Sequence, residues 1–195
     1  MNDWSQSGEQ AAILAAFEGA PPGRFLDVGA YHPTCFSNTR ALFEMGWSGL
    51  MIEPSPGPRQ ALLKEYGNEP RITILSAAMA IEPGFIPLHV TDDAVSTSSE
   101  AQHEQWREAG GYYGKLCVPT ITWEQIGNQF GGFDMVNIDA EGTSADLFLR
   151  MLQLNRKPHC VCCEYDNRLP ELCSAATRSG YRLTSSNGTN AIYVR

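Results

Sequence analysis

The chain is poor in basic residues. It carries 14 Lys and Arg against 22 Asp and Glu, a net charge of −8 over 195 residues. Binding a nucleic-acid backbone mainly by charge needs clustered Lys and Arg, and so does docking on an anionic membrane, so neither nucleic acid nor membrane is expected as a partner. No apolar run approaches the roughly 20 residues that span a bilayer. The opening MNDWSQSGEQ has no basic segment followed by an apolar stretch, which points to a cytoplasmic chain. Its six cysteines then read as reduced thiols and not as a disulfide framework. The sequence also lacks internal repeats, low-complexity tracts, a G-x-x-x-x-G-K-[ST] phosphate loop and two of the three glycines of a dinucleotide-binding turn. That argues against nucleoside triphosphates and against an NAD-dependent oxidoreductase.

What is present is a globular composition, 43% hydrophobic and 18% charged, in a length that suits one domain over residues 1–195. Short apolar runs alternate with amphipathic segments, the pattern of a parallel sheet covered by helices. A first helix is expected in residues 1–23, starting at Ser7 with Gln10 as its capping-box partner and stopped by Pro21-Pro22-Gly23. Strands are expected at Arg24–Val28, Leu50–Ile52, Ile72–Leu75, Met135–Ile138 and Cys160–Cys163, with an added strand at Phe85–Val90. Helices are expected at Thr39–Met45, Arg59–Tyr66, Thr122–Gly127, Ser144–Leu154 and from Pro170 to Gly180. Tyr181–Thr184 and Ala191–Val194 form a closing antiparallel hairpin. Residues 91–118 are polar and irregular, with a short helix near Glu100–Glu108, and suit a substrate-binding lid.

Ligands of doubly wound sheets bind at the carboxyl ends of the strands, near the point where strand order reverses. There the sequence places acids: Asp27 before Gly29, Glu53, Asp139 and Glu141, then Glu164 and Asp166. Such a rim suits a cationic ligand or a divalent metal and repels phosphate. An acid at the end of the second strand can also take both hydroxyls of a ribose. Cys160-x-Cys162-Cys163 lacks zinc-site spacing, since neighbouring strand residues face opposite ways, and reads as buried thiols. The tryptophans lack the basic interleaving of a nucleic-acid platform.

Several of these residues form a recognisable series: Ser5-Gln6 with Glu9, FLDVGAYHP, Ser37-Asn38-Thr39-Arg40, Gly46-Trp47-Ser48-Gly49-Leu50 with Ile52-Glu53-Pro54-Ser55, NIDAEG at 137–142, Glu164, Gly180-Tyr181, and Asn190–Val194. In order and over nearly the whole chain, the series resembles the FkbM family of S-adenosylmethionine-dependent methyltransferases. The resemblance implies the class I methyltransferase fold: α/β, Rossmann-like, a doubly wound and mostly parallel seven-stranded sheet with an antiparallel last strand and helices on both faces. It implies S-adenosylmethionine as cofactor and S-adenosylhomocysteine as product. Asp27, Gly29 and Ala30 would line the methionine part, Glu53 would hold the ribose, and Ser76-Ala77 would sit near adenine. Ser5, Gln6, Tyr31, Ser37, Pro54 and Asp139 join the expected cofactor site. Family members act mostly on hydroxyls of sugars or secondary metabolites, so a small-molecule or glycan acceptor is expected. For its deprotonation Asp139 is the first candidate, Glu141 the second, and His103 in the insert a lid-borne alternative. A Mg²⁺ variant would use Asp139 with Asp166 and Asn167. Two departures stand out: Thr143-Ser144-Ala145 follow Glu141-Gly142 before the next acid, Asp146, and Ser76 stands where many methyltransferases carry an acid. A cofactor-binding module without transferase activity is the alternative.

Overall fold

The structure, a computed structural model, describes residues 2–91, 94–108, 111, 112, 114–154 and 157–195, with Trp106 described by its backbone alone. Seven strands form the main sheet: β1 (Arg24–Val28), β2 (Ser48–Ile52), β3 (Ile72–Leu75), β7 (Met135–Ile138), β8 (Cys160–Glu164), β9 (Arg182–Ser186) and β10 (Asn190–Val194). Their order is β3-β2-β1-β7-β8-β10-β9. β10 runs antiparallel to β8 and β9, and the remaining pairings are parallel. The expected doubly wound sheet, its reversal between β1 and β7 and its closing hairpin are therefore all present.

Helices α1 (Glu9–Ala15), α2 (Arg40–Glu44) and α3 (Pro56–Tyr66) accompany β1 to β3. α5 (Trp123–Phe130), α6 (Ser144–Leu152) and α7 (Leu169–Arg178) accompany the later strands. Strand alternation divides the core between the two faces of the sheet. Leu26 and Val28 pack with Trp123, Ile126, Phe148 and Leu172. Phe25 packs with Ile13, Leu42, Trp47 and Leu62. Asp27 shares the second face by alternation, and it is only 2% exposed.

Several local signals act differently from expectation. The cap of α1 is Gly8 in a left-handed conformation, and the Ser7 amide donates instead to Glu9 Oε2 at 2.8 Å. Glu9 also accepts from the side-chain amides of Asn187 and Asn190 at 2.7 and 2.8 Å, which ties α1 to the β9–β10 hairpin. Burial would raise its pKa, but these hydrogen bonds outweigh it and hold the carboxyl below the ordinary range. At Thr122 the capping box with Gln125 is complete.

The stretch read as irregular is the main correction. β4 (Ala78–Met79), β5 (Phe85–Val90) and β6 (Gly114–Ile121) form a second, three-stranded sheet in the order β4-β6-β5. β6 begins inside the supposed loop. It also contains Pro119, which lacks a ladder donor. The strand tolerates it because β4 pairs only with Thr120 and Ile121, leaving Pro119 with β5 alone as neighbour. Helix α4 (Glu100–Trp106) precedes β6. Residues 92, 93, 109, 110 and 113 of that insert, and the Trp106 side chain, lie outside the described residues. Among the described residues, no helix is long and apolar enough to cross a membrane.

Candidate active site

The chain turns sharply after β1. Gly29 has φ 76°, and its amide donates to Ile52 O at 3.0 Å. A Cβ there would overlap the carbonyl oxygen of Asp139. Only glycine lets the ends of β1 and β7 approach this closely. Tyr31 follows with φ 46°, so the turn holds a second left-handed residue. Its amide donates to Glu53 Oε2 at 3.0 Å, while the Ser55 amide donates to Glu53 Oε1 at 2.7 Å. Both oxygens of Glu53 are thus fixed by backbone donors, and the side chain is 5% exposed. Burial, and less strongly the charge of Asp27, push its pKa up against those two bonds.

Two cavities open at this rim, and they share Gly29, Tyr31, Ala94, Asp139 and Glu141. The narrower one is lined by Glu53, Pro54, Ser55, Ala78, Met79 and Leu88, and is roofed by Ser96, Thr97 and Ser98. The wider one is lined by Gln6, Phe36, Gln102, Gln105, Glu164, Tyr165, Asp166 and Asn167.

The roof is fastened. Thr97 Oγ1 donates to Glu141 O at 2.6 Å, and Gln102 donates to Glu141 Oε2 at 2.8 Å. Tyr112 OH donates to Val95 O at 2.7 Å. The backbones of Thr97 and His89 exchange hydrogen bonds at 2.8 and 3.0 Å. Gly142, with φ 78°, lies under Ser99, where a Cβ would sit 3.0 Å from Ser99 Cβ.

Asp139, Glu141 and Glu164 offer carboxylate oxygens within 4.8 Å of one another. The register explains two of the three, since Ile138 pairs with Cys163 and their successors are therefore side by side. Burial and the neighbouring charges, Glu141 first, push Asp139 up to about 7. Burial and Asp139 push Glu164 up to about 9. Glu141 is also raised by burial, with the Gln102 bond working against that. A rim of this kind holds protons near neutrality and presents negative charge to an incoming cation.

Of the expected site residues, the structure brings Gly29, Tyr31, Glu53, Pro54 and Asp139 to the narrower cavity, with Glu141 beside them, and Gln6 to the wider one. Others point elsewhere. Asp27 accepts from Thr39 Oγ1 at 2.5 Å and Asn137 Nδ2 at 2.9 Å and lines neither cavity. It braces β1 against α2 and β7 from inside the protein. Ala30 and Ala77 are buried in the two cores. The Ser5 hydroxyl donates to Asp3, the Ser37 hydroxyl accepts from the Arg40 amide, and the Ser76 hydroxyl accepts from Arg59.

His103 lines neither cavity, and its ring is stacked on His89 with centres 3.7 Å apart. Asp139, Asp166 and Asn167 all line the wider cavity. Asp166 Oδ2 is engaged by the Ala145 amide at 2.7 Å. Ala78, Met79 and Leu88 also line the cleft, from the second sheet, which the sequence pattern does not place there.

No family model and no curated protein matches the chain. Among solved structures, it is similar to the Escherichia coli methyltransferase candidate yhhF, with 10% identity and a TM-score of 0.53 over 100% of this chain and 88% of that one. It is similar to the precorrin-6y C5,15-methyltransferase of Geobacter metallireducens GS-15, with 11% identity and a TM-score of 0.51 over 95% and 86%. It is also similar to the RNA methyltransferase candidate PH1948 of Pyrococcus horikoshii, with 8% identity and a TM-score of 0.50 over 98% and 88%. At these identities the likeness establishes the fold, the class I methyltransferase fold, and nothing further.

Proposed function

We propose that this protein is a methyltransferase that uses S-adenosylmethionine and methylates a hydroxyl of a carbohydrate or small metabolite. One observation carries the reading. Glu53, at the carboxyl end of β2 and beside the switch point of the sheet, faces a cavity with both carboxylate oxygens pre-set by the Tyr31 and Ser55 amides. The Ser55 hydroxyl also bonds this carboxylate, and a carboxylate has about four lone-pair sites, so acceptor capacity remains for a ribose hydroxyl. The residues present fit the cofactor: a glycine turn that admits close approach, an acid for the ribose, and a carboxylate rim complementary to a sulfonium. When bound, that group supplies an activated methyl.

The chain's own residues would then orient the acceptor, exclude water and hold the displaced proton. Asp139 is suited to the proton, because burial brings it to about 7. Glu141 is the second carboxylate at the junction of the two cavities. The wider cavity offers the side chains of Gln6, Gln105, Tyr165 and Asn167 around its acids, a donor and acceptor set suited to a neutral polyhydroxylated molecule. An RNA acceptor would bring phosphates toward Asp139, Glu141, Glu164 and Asp166, which disfavours it. The roof over residues 94–102, joined to Glu141, would act as the lid.

Calorimetry with S-adenosylmethionine and S-adenosylhomocysteine tests the reading. Micromolar or tighter binding of either supports it. Folded protein that binds neither overturns it. Binding without turnover across a panel of sugars and phenols would favour the non-catalytic module instead.

A further inference from the structure

Away from the cleft, β5 and α4 bring three metal-ligating side chains together. His89 lies on β5; Glu100 and His103 lie three positions apart on α4, on one face of the helix. They offer donor atoms within 4.8 Å of one another. The two imidazoles are stacked, with ring centres 3.7 Å apart and planes 13° from parallel. His89 is 8% exposed, and its Nε2 is buried without a hydrogen bond. Glu100 Oε1 approaches that nitrogen to 3.2 Å, close enough for a charge contact but outside hydrogen-bond geometry. His103 Nδ1 is a second buried ring nitrogen with no hydrogen-bond partner. A buried ring nitrogen with no partner, beside a second whose one contact is the poorly aligned Glu100 carboxylate, is costly in a folded protein. A shared ligand that accepts electron pairs from both would remove that cost.

We propose that His89, Glu100 and His103 bind a divalent transition-metal ion that clips α4 to β5. Two imidazoles and one carboxylate suit zinc and its neighbours in the first row, whereas Mg²⁺ and Ca²⁺ prefer oxygen donors throughout. An ion about 2.0–2.2 Å from each donor requires the two rings to turn out of their parallel stack so that their in-plane lone pairs converge, with water completing the shell. The Tyr112 ring, 4.7 Å from His103 and nearly perpendicular to it, shields one side. Lys115 Nζ lies 2.8 Å from Glu100 Oε1 and competes for the carboxylate. It is about half exposed and can swing into solvent, while Oε2 offers the ion a second oxygen. The consequence is structural. α4 also carries Gln102, which reaches Glu141, and His89 holds Thr97 by its backbone. The ion would fix the roof of the cleft from behind.

The test is calorimetric titration of Zn²⁺ into the full chain carrying Cys35→Ser and Cys117→Ser, which removes the exposed thiols. One saturable site per chain is expected. Glu100→Ala and His103→Ala should each weaken it at least tenfold, and Lys115→Ala should tighten it. Glu100 and Lys115 are largely solvent-facing, so those variants keep the fold. Amide exchange through residues 97–106 should slow when zinc is added. Absence of saturable binding overturns the proposal. So does binding that His103→Ala leaves unchanged, because the ion would then sit elsewhere, for instance among Asp139, Glu141 and Glu164. None of these readouts depends on methyl transfer.

Discussion

Gly29 and Asp139 are in contact through main chain alone: the space a side chain at Gly29 would need is taken by the Asp139 carbonyl. The contact joins the turn after β1 to the turn after β7, across the reversal in strand order. Both cavities include both residues.

Replacing Gly29 by Ala therefore does two things. It places a side chain at φ 76°, which costs about 1–2 kcal/mol. It also forces β1 and β7 apart. Total destabilisation of roughly 2–4 kcal/mol is expected, toward the upper range for single substitutions. Urea unfolding followed by circular dichroism measures it, and an unchanged midpoint would refute the steric argument.

Glu53 is sensitive to more than charge. In Glu53→Gln the amide NH₂ must face either the Tyr31 amide or the Ser55 amide, and both are donors. Whichever way it turns, one buried bond is lost, at about 1–3 kcal/mol. The expected outcome is at least a tenfold fall in affinity for S-adenosylhomocysteine, read by calorimetry. The far-ultraviolet spectrum should be unchanged.

Much of this site was legible because apolar runs stop at acids. The strands of the main sheet end beside Asp27, Glu53, Asp139 and Glu164, and a parallel sheet lines such ends along one edge. Side-chain direction was not legible. Asp27 precedes the last residue of β1 and so faces the α2 side, where Thr39 and Asn137 meet it. His103 sits between Gln102 and Gln105, which line the wider cavity, yet it turns to His89. A two-residue strand such as Ala78–Met79 is too short for any alternation to show, and β6 contains Pro119, which lacks a ladder donor. The roof could not be placed without that second sheet.

The clustered carboxylates predict how stability changes with pH. Asp139 and Glu164 titrate near their ordinary values, about 4, in the unfolded chain, but at about 7 and about 9 when folded. The folded state therefore holds more protons over this interval, and the stability contributed by the pair falls as pH rises from about 4 to 9, most steeply below about 7 where both groups differ from the unfolded chain. Glu164→Gln keeps an acceptor for the Ser144 hydroxyl and removes one charge from the cluster. At pH 9 the variant should be more stable than the parent by on the order of 1–2 kcal/mol, with a flatter dependence of Tm on pH. Thermal melts at several pH values decide the matter, and a variant less stable at pH 9 would contradict the charge argument.

Asp139→Asn should separate binding from chemistry. The residue keeps its size and its backbone role beside Gly29, so S-adenosylhomocysteine affinity should change less than threefold. Turnover of an accepted hydroxyl substrate should fall by roughly 10²–10⁴ if Asp139 takes the proton. In the parent, kcat should rise as pH passes about 7, where Asp139 ionises, and the variant should lose that limb. Equal losses in binding and turnover would reassign Asp139 to a positioning role.

Thr97 links the roof to the carboxylate rim. Its hydroxyl donates to Glu141 O at 2.6 Å and accepts from the Ser99 amide at 3.0 Å, in a residue only 1% exposed. Thr97→Val keeps the shape and removes both bonds, leaving the Ser99 amide and the Glu141 carbonyl unsatisfied. The backbone pairing with His89 remains, so the second sheet should survive with little change in Tm. What weakens is closure, by about 1–3 kcal/mol. Amide exchange through residues 94–103 should quicken, and S-adenosylhomocysteine should dissociate roughly tenfold faster in stopped-flow displacement. An unaltered dissociation rate alongside faster exchange would mean that the segment covers the cleft without gating it.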